Sequence, residues 1–332
     1  MRLDVVAKES HFVDHLAPVW MALPPKVRGR FYFRGHGDCR PVEGMIRGQP
    51  PASSNPTLVA AAGDLIFARR LGRRVAIMEH GAGQSYGGIL VSAGGKRLRG
   101  PWREHSSYAG GANRDAELFL HPGPHPAARD AARYPDARVE VVGCPKLDQL
   151  PRKAAPSKVP VVAVSFHWNC HIAPETRWAL PDFERHVRSL AADRRYQVIG
   201  HAHPRAAVKL SAWYERCGIE FVPTFGEVCE RADVYVIDNS STLFEFAATG
   251  RPVVLMNARL YRRPVEHGLR FWQAATVGVQ ANVRDGLIGA VTEALRDTPD
   301  QQDARERALD LVYGYRSGAA ARAAGVLREW AS

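Results

Sequence analysis

The sequence predicts an α/β protein built from two doubly wound, Rossmann-like parallel-sheet domains that face an interdomain cleft. Three observations carry that expectation. Short apolar runs alternate with helix-period patterns along the chain, as strands and crossover helices do in parallel sheets. A stretch from Pro151 to Pro160, with a further proline at Pro156 and no apolar periodicity, interrupts the alternation midway. The 332 residues suffice for two domains at roughly 100 to 200 residues each. A content of 45% hydrophobic and 24% charged side chains, with a mean hydropathy of −0.26, excludes disordered, collagen-like and coiled-coil classes.

Taken in order, the first half reads as strands at Leu3 to Ala7, Phe31 to Phe33, Thr57 to Ala61, Arg74 to Met78, Glu117 to Leu120 and Val139 to Val142. Helical patterns lie between them at His11 to Leu23, Asp64 to Leu71 and Pro126 to Tyr134. The second half repeats the scheme with strands at Val161 to Phe166, Gln197 to Gly200, Ile219 to Val222, Val234 to Ile237 and Pro252 to Met256. Its helices are expected at Pro174 to Asp193, Ala206 to Cys217, Phe225 to Arg231, Ser241 to Thr249 and Asp285 to Arg296, the last with Leu287, Ile288, Val291, Ala294 and Leu295 on one stripe. Domains are therefore expected over residues 1–150 and 151–332, with the final helix free to cross back to the first. Ligands of such folds bind beyond the carboxyl ends of the strands. The Gly-rich stretch Gly81 to Gly111 has no clear period and reads as a long loop suited to an acceptor.

Charge and cysteine usage bound the partners. The net charge is +11 and the isoelectric point about 9.7, which invites a polyanion such as DNA. Only seven of the 45 basic residues are lysine, and that bias, together with abundant Ala and Gly, also fits a GC-rich genome. The five cysteines form no C-x-x-C pair and are odd in number, as expected of reduced thiols in the cytoplasm. Asp4 and Glu9 stand where a signal peptide needs an apolar core, and no run of about 18 apolar residues occurs. Neither a secretion signal nor a membrane span is expected.

Chemistry concentrates at strand ends. After the strand Val234 to Ile237 come Asp238, Asn239, Ser240 and Ser241, then an apolar helix start. Backbone N–H groups at that helix start form an anion site, and Glu245, one turn in, is placed to accept hydrogen bonds from ribose hydroxyls; the alternative is that the serines only cap the helix and Glu245 is a solvated first-turn acid. After the strand at Gln197 to Gly200, His203-Pro204-Arg205 presents an imidazole and a guanidinium suited to phosphate. In the first domain, Glu79-His80-Gly81 follows a strand; His80 can take a proton from an acceptor hydroxyl near neutral pH, and Gly81 and Gly83 leave room for it. His167 and Trp168 stand at the mouth of the second domain's first strand, in a segment whose His167, Cys170 and His171 lack the second ligand pair of a zinc site. His121 and His125, spaced by prolines and glycine, read as surface residues of a rigid turn.

These segments occur in an order that resembles the CDP-glycerol:poly(glycerophosphate) glycerophosphotransferases: His80-Gly81 after a first-domain strand, Gly143-Cys144-Pro145-Lys146-Leu147-Asp148 before the linker, His203-Pro204, and Asp238 to Ser241 leading into Phe244 to Pro252. The resemblance spans roughly residues 74–260 and extends to glycosyltransferases of the GT-B fold. It implies His80 as base, His203 with Ser240 and Ser241 as holders of the donor's phosphates, Glu245 by the ribose, and Lys146 and Asp148 beside the cleft. Where this family usually has a Trp-His-Gly-Thr-Pro type sequence, this chain has Glu79 before the histidine. Sialyltransferases also combine a His-Pro with a Ser-Ser element, so the pair marks nucleotide handling more than the transferred group.

The expected activity is glycosyl transfer from a UDP-, CDP- or CMP-linked donor to an acceptor hydroxyl, on DNA with hydroxylated bases or another polyanion. Glycerophosphate transfer from CDP-glycerol is the alternative, and an inactive nucleotide-sugar or nucleic-acid binder is the alternative of another class. The donor is a substrate and no cofactor is expected. There is no Asp-x-Asp for a divalent ion, so phosphate charge falls to His203, Arg205 and helix amides; were a metal needed, Asp238 would be the first ligand to consider. With neither a P-loop nor a G-x-G-x-x-G after a strand, ATPase and dehydrogenase readings lose their support.

Overall fold

A computed structural model describes residues 1–36, 39–81, 88–91, 97–103, 116–151, 153, 155–170, 177–261 and 276–332. Two compact units emerge: residues 1–85, 105–149 and 311–332 in the first, residues 86–104 and 150–310 in the second.

The first unit holds a seven-stranded sheet in the order β3-β2-β1-β4-β5-β8-β9. These strands are β1 Leu3–Ala7, β2 Arg28–Phe33, β3 Met45–Arg47, β4 Thr57–Val59, β5 Val75–Met78, β8 Leu118–His121 and β9 Arg138–Val141. Every pairing is parallel, so each connection crosses over, through α1 Ser10–Ala22, α2 Ala62–Arg70 or α3 Pro124–Arg133 where a helix forms. The buried strands alternate their side chains between two apolar layers. Val5, Leu58, Ala76 and Leu118 face α1 and the final helix α10, Ala319–Ala331; Val6, Val59, Ile77 and Phe119 face Leu65 and Ala68 of α2. Strands β6 Gly88–Val91 and β7 Arg97–Arg103 form an antiparallel pair inside the Gly-rich stretch, of which residues 82–87, 92–96 and 104–111, Gly83 among them, lie outside the described set.

The return of α10 to the first unit has a local cause at Gly143. Its φ of +89° is a left-handed conformation, and a Cβ there would lie 2.7 Å from the Tyr315 carbonyl oxygen. A glycine lets the chain pass closely under the segment that leads into α10.

The second unit has a six-stranded, all-parallel sheet in the order β12-β11-β10-β13-β14-β15. Its strands are β10 Val161–Phe166, β11 Gln197–Ala202, β12 Glu220–Phe221, β13 Val234–Ile237, β14 Val253–Asn257 and β15 Val279–Asn282. The connecting helices are α4 Leu180–Ala192, α5 Ala207–Arg216, α6 Phe225–Arg231, α7 Thr242–Ala247 and α8 Ile288–Ala294, and α9 Pro299–Val312 follows them. Strand order reverses between β10 and β13, the topological switch point at which the carboxyl ends leave a crevice. In the first unit the reversal lies between β1 and β4. The expected strands and helices recur within a few residues, apart from the short strand expected at Ile219 to Val222 and the helices at Pro174, Ser241 and Asp285, which are shorter; residues 171–176, where the first of those helices was to begin, fall outside the described set.

Gly200 in β11 shows how tightly the second core closes. A Cβ there would sit 2.5 Å from the ring of Tyr214, which is fully buried and whose hydroxyl donates to the Val164 carbonyl at 2.7 Å. Gly200→Ala should lower stability by about 1–3 kcal/mol, the usual cost of overpacking, measured by equilibrium urea unfolding. An unchanged midpoint would mean that the ring has room to move.

Candidate active site

The carboxyl edge of the second unit's sheet is organised by Asp238, the residue after β13. It has no solvent exposure, and its Oδ1 accepts the backbone N–H of His167 at 2.8 Å while Oδ2 accepts that of Ala179 at 2.9 Å. The carboxylate thus ties the end of β10, and the entry to α4, to the end of β13. Each oxygen of Asp238 serves a backbone donor. Among the described residues no group of His, Cys, Asp and Glu could hold a metal ion, and His171 lies outside that set.

Beyond Asp238 the chain turns through Ser240, whose Oγ lies 3.0 Å from Thr242 Oγ1 and accepts the Thr242 N–H at 3.4 Å. The helix starts at Thr242, one residue later than expected; Ser241, at the cap position, makes no side-chain cap bond and is half-buried. Beneath the turn, the buried Tyr235 hydroxyl meets Thr242 Oγ1 at 3.1 Å, and burial pushes that phenol well up from its ordinary value. Glu245 is 2% exposed, so it is no solvated surface acid.

After β11, on the other side of β10, His203 Nδ1 accepts the N–H of Arg205 at 3.2 Å. In the neutral ring Nε2 then carries the proton, a hydrogen-bond donor that suits a phosphate oxygen. The His203 ring lies edge-on to His167 at 5.2 Å and 6.3 Å from Trp168, and the Arg205 guanidinium sits 4.9 Å over Trp168. His167, buried, and half-buried Trp168 follow β10. Because β10 pairs with both β11 and β13, these groups and the Ser240–Ser241 turn gather along one sheet edge at the switch point.

In the first unit, Glu79 and His80 leave β5. His80 Nδ1 lies 2.6 Å from the carbonyl of Ala60, the residue after β4. A carbonyl only accepts, so Nδ1 carries the proton and Nε2 holds the lone pair of the neutral ring. The ring packs edge-on against Phe12 at 4.5 Å, with His11 at 5.7 Å. His15 is buried in the same neighbourhood, its pKa held well below the ordinary histidine value by burial and by the charges of Lys146 and His80. Lys146, itself buried, belongs to the 3-10 turn Pro145–Gln149. It also opposes the rise that burial imposes on the Asp14 carboxyl. Gly81 is half-buried and leads into residues outside the described set.

Two candidates prove to be bound up elsewhere. Asp148 accepts the N–H groups of Ala319 and Ala320 at 3.3 and 2.8 Å, so its carboxylate caps α10. Glu79, 4% exposed, places Oε2 2.8 Å from His121 Nδ1, and His121 Nε2 lies 3.1 Å from Asp130 Oδ2. His121 is 1% exposed, which overturns its reading as a surface residue: it ends β8 with its ring between two carboxylates. The Pro122-Gly123-Pro124 sequence disguised it, since Pro124 opens α3 rather than a free turn.

Residues 178–325, which fall almost wholly in the second unit, match the model of the CDP-Glycerol:Poly(glycerophosphate) glycerophosphotransferase family. The resemblance read from the sequence is thereby shown on the part of the chain that carries His203, Arg205, Ser240, Ser241 and Glu245. No curated protein matches the chain. Among solved structures, the wall teichoic acid polymerase TagF superposes with a TM-score of 0.63 at 12% identity, over 99% of this chain and 88% of that one. A putative UDP-N-acetylglucosamine 2-epimerase from Listeria monocytogenes gives 0.57 at 13% identity, over 98% and 94%. These likenesses show a GT-B-type fold. The family match carries the class, a transferase that uses a nucleotide-activated donor. No helix among the described residues is long and apolar enough to cross a membrane.

The buried Glu79–His121–Asp130 array makes stability depend on pH. Burial alone would lower the His121 pKa, but the carboxylates of Asp130 and Glu79 beside its two ring nitrogens raise it to about 9 from an ordinary 6.5. A folded-state pKa above the unfolded one means that the stabilisation is fully present below pH 6.5 and is lost as pH rises through about 9, on the order of 3 kcal/mol in all. Urea unfolding at pH 6 and pH 9.5 should show this fall, and a Glu79→Gln/His121→Gln variant should show a flatter dependence. Equal slopes in the two proteins would refute the assignment.

Proposed function

We propose that this chain transfers a glycerophosphate or glycosyl group from a cytidine- or uridine-linked donor to an acceptor hydroxyl, with CDP-glycerol as the favoured donor. The observation that carries this reading is the concentration of His203, Arg205, Ser240, Ser241 and Glu245 at the switch point of the unit that matches the glycerophosphotransferase family. Glycosyl transfer ranks first on the sequence alone; the family match favours glycerophosphate. The acceptor suited to a net charge of +11 is a polyanion, DNA included, and five cysteines outside any disulfide suit the cytoplasm.

The second unit holds the donor. His203 Nε2–H and the Arg205 guanidinium offset the diphosphate charge, and the hydroxyls of Ser240 and Ser241 donate to the charge that develops on the leaving phosphate. Glu245 binds the ribose. From the first unit, His80 Nε2 takes the acceptor's proton. With CDP-glycerol, the acceptor oxygen forms a bond to the glycerol-bearing phosphorus, the bond from that phosphorus to the bridging oxygen breaks, and CMP leaves with the electron pair. With a sugar nucleotide the same base serves attack at the anomeric carbon.

The histidines should separate in the kinetics. A base typically contributes about 10²- to 10⁴-fold, so His80→Asn should lower kcat by that order with donor affinity by calorimetry nearly unchanged. His203→Asn should weaken donor binding as well as rate. Near-wild-type turnover in His80→Asn would remove it as the base. Turnover should also survive EDTA, because His203 and Arg205 already supply positive charge; a loss restored by magnesium would reveal a metal requirement. CMP release from CDP-glycerol identifies glycerophosphate transfer, whereas a nucleoside diphosphate, or CMP from a CMP-sugar, identifies glycosyl transfer.

A further inference from the structure

The first unit contains a buried charged array that the proposed transfer does not use directly. Glu79 Oε2 and Asp130 Oδ2 lie 2.8 and 3.1 Å from the two ring nitrogens of His121, and all three side chains are at most 1% exposed. They come from three elements: Glu79 follows β5, His121 ends β8 and Asp130 lies in α3. Two ionised carboxylates around one imidazolium leave a net charge of −1 in the interior. Such an array is expensive to bury, and apolar residues of similar volume would often be at least as stable. Stability alone therefore does not account for it. Its place in the chain does, because Glu79 is bonded directly to His80.

We propose that Glu79, His121 and Asp130 are the positioning residues of His80, anchoring its backbone to β8 and supplying the negative charge that keeps its imidazole basic; this rests on the reading of His80 as the base. The anchoring is double. Besides the side-chain contact, the Glu79 N–H donates to the Leu120 carbonyl at 3.0 Å, so backbone and side chain of one residue grip adjacent positions of β8. His80 is then held from the far side by the Ala60 carbonyl at 2.6 Å. Between two such fixed points the ring keeps one tautomer and one orientation.

The electrostatic half follows from what faces His80. From α1 come His11 and the buried His15, on which the charges of both His80 and Lys146 of the 3-10 turn act, and the Ala60 carbonyl comes from the end of β4. The Lys146 charge in this neighbourhood works against forming an imidazolium, and a base must become one as it accepts a proton. The carboxylates of Glu79 and Asp130 supply the opposite charge from the sheet side. The charge is buried with the array and so is weakly screened.

Histidine-selective nitrogen NMR of the full-length protein tests this without an acceptor. His80 signals are assigned by their loss in His80→Asn. In the wild type, His80 should show the Nδ1-protonated tautomer, and His121 should be doubly protonated at pH 7. Glu79→Gln keeps the shape and one hydrogen bond but removes the charge; the His80 titration midpoint should move to lower pH and its tautomer should become mixed. Glu117→Gln removes an equal charge beside the start of β8, where Glu117 pairs with Arg74 at 2.8 Å, and should leave His80 unchanged. Asp130→Asn provides the same test should Glu79→Gln fail to fold. A neutral His121 at pH 7, or a His80 midpoint and tautomer in either carboxylate variant identical to the wild type, overturns the proposal. Turnover of His80→Asn separates the two ideas: an inactive variant beside an unmoved His80 titration rejects the positioning role alone, whereas an active one rejects His80 as the base.

Discussion

Everything on the second unit's ligand edge depends on the acceptance of two backbone N–H groups by one fully buried carboxylate, that of Asp238. At the end of a parallel sheet, strands release their chains with N–H groups that no neighbouring strand can satisfy, and a buried donor left unpaired costs about 1–3 kcal/mol. Asp238 satisfies two from separate places, the residue after β10 and the approach to α4. The segments bearing His167, Trp168 and the Ser240–Ser241 turn are therefore fixed to one another through a single side chain. The edge is built before any ligand arrives, which is what electrostatic stabilisation of a leaving phosphate needs.

The first unit meets the same problem with a different solution. Its strands β5 and β8 are joined past their ends by Glu79 and His121, and the ring of His80 reaches across to the carbonyl beyond β4. Charge here is buried in an array of three groups, so the order of this edge is tied to protonation in a way that Asp238, serving backbone donors, is not. The two units share a sheet plan and differ in how each carboxyl edge is locked.

How much of this the sequence discloses follows from which residues are repeated signals and which are single ones. Strands such as β1, β10 and β13 are wholly buried and read as unbroken apolar runs, so their bounds match. Strand β3, Met45–Arg47, is a short edge strand with exposed residues and has no apolar run to betray it. Helix α9 escapes a strand-centred reading because its buried Ala308 and Leu309 stand among many charges, and α10 is expected only as a final helix without bounds. Motif residues at strand ends were legible, because topology forces them to one edge. The tasks of Asp148, Asp238 and His121 were not, since each depends on partners 59 to 172 positions away or, for His121, on a carboxylate across two strands.

The two histidines that carry the proposed chemistry illustrate why spacing alone stops short of mechanism. Each follows a parallel strand, and the residue type is the same. What differs is the partner of Nδ1. At His80 it is a carbonyl oxygen, which obliges Nδ1 to keep the proton and leaves Nε2 as the acceptor; at His203 it is a backbone N–H, which obliges Nδ1 to accept and leaves Nε2 as the donor. One backbone group per ring thus divides proton acceptance from phosphate binding. A ring with its proton on Nε2 could not accept one there, and a phosphate ligand with a lone pair facing the anion would repel it. Under the proposed reading, the role of each imidazole follows from the backbone atom it meets.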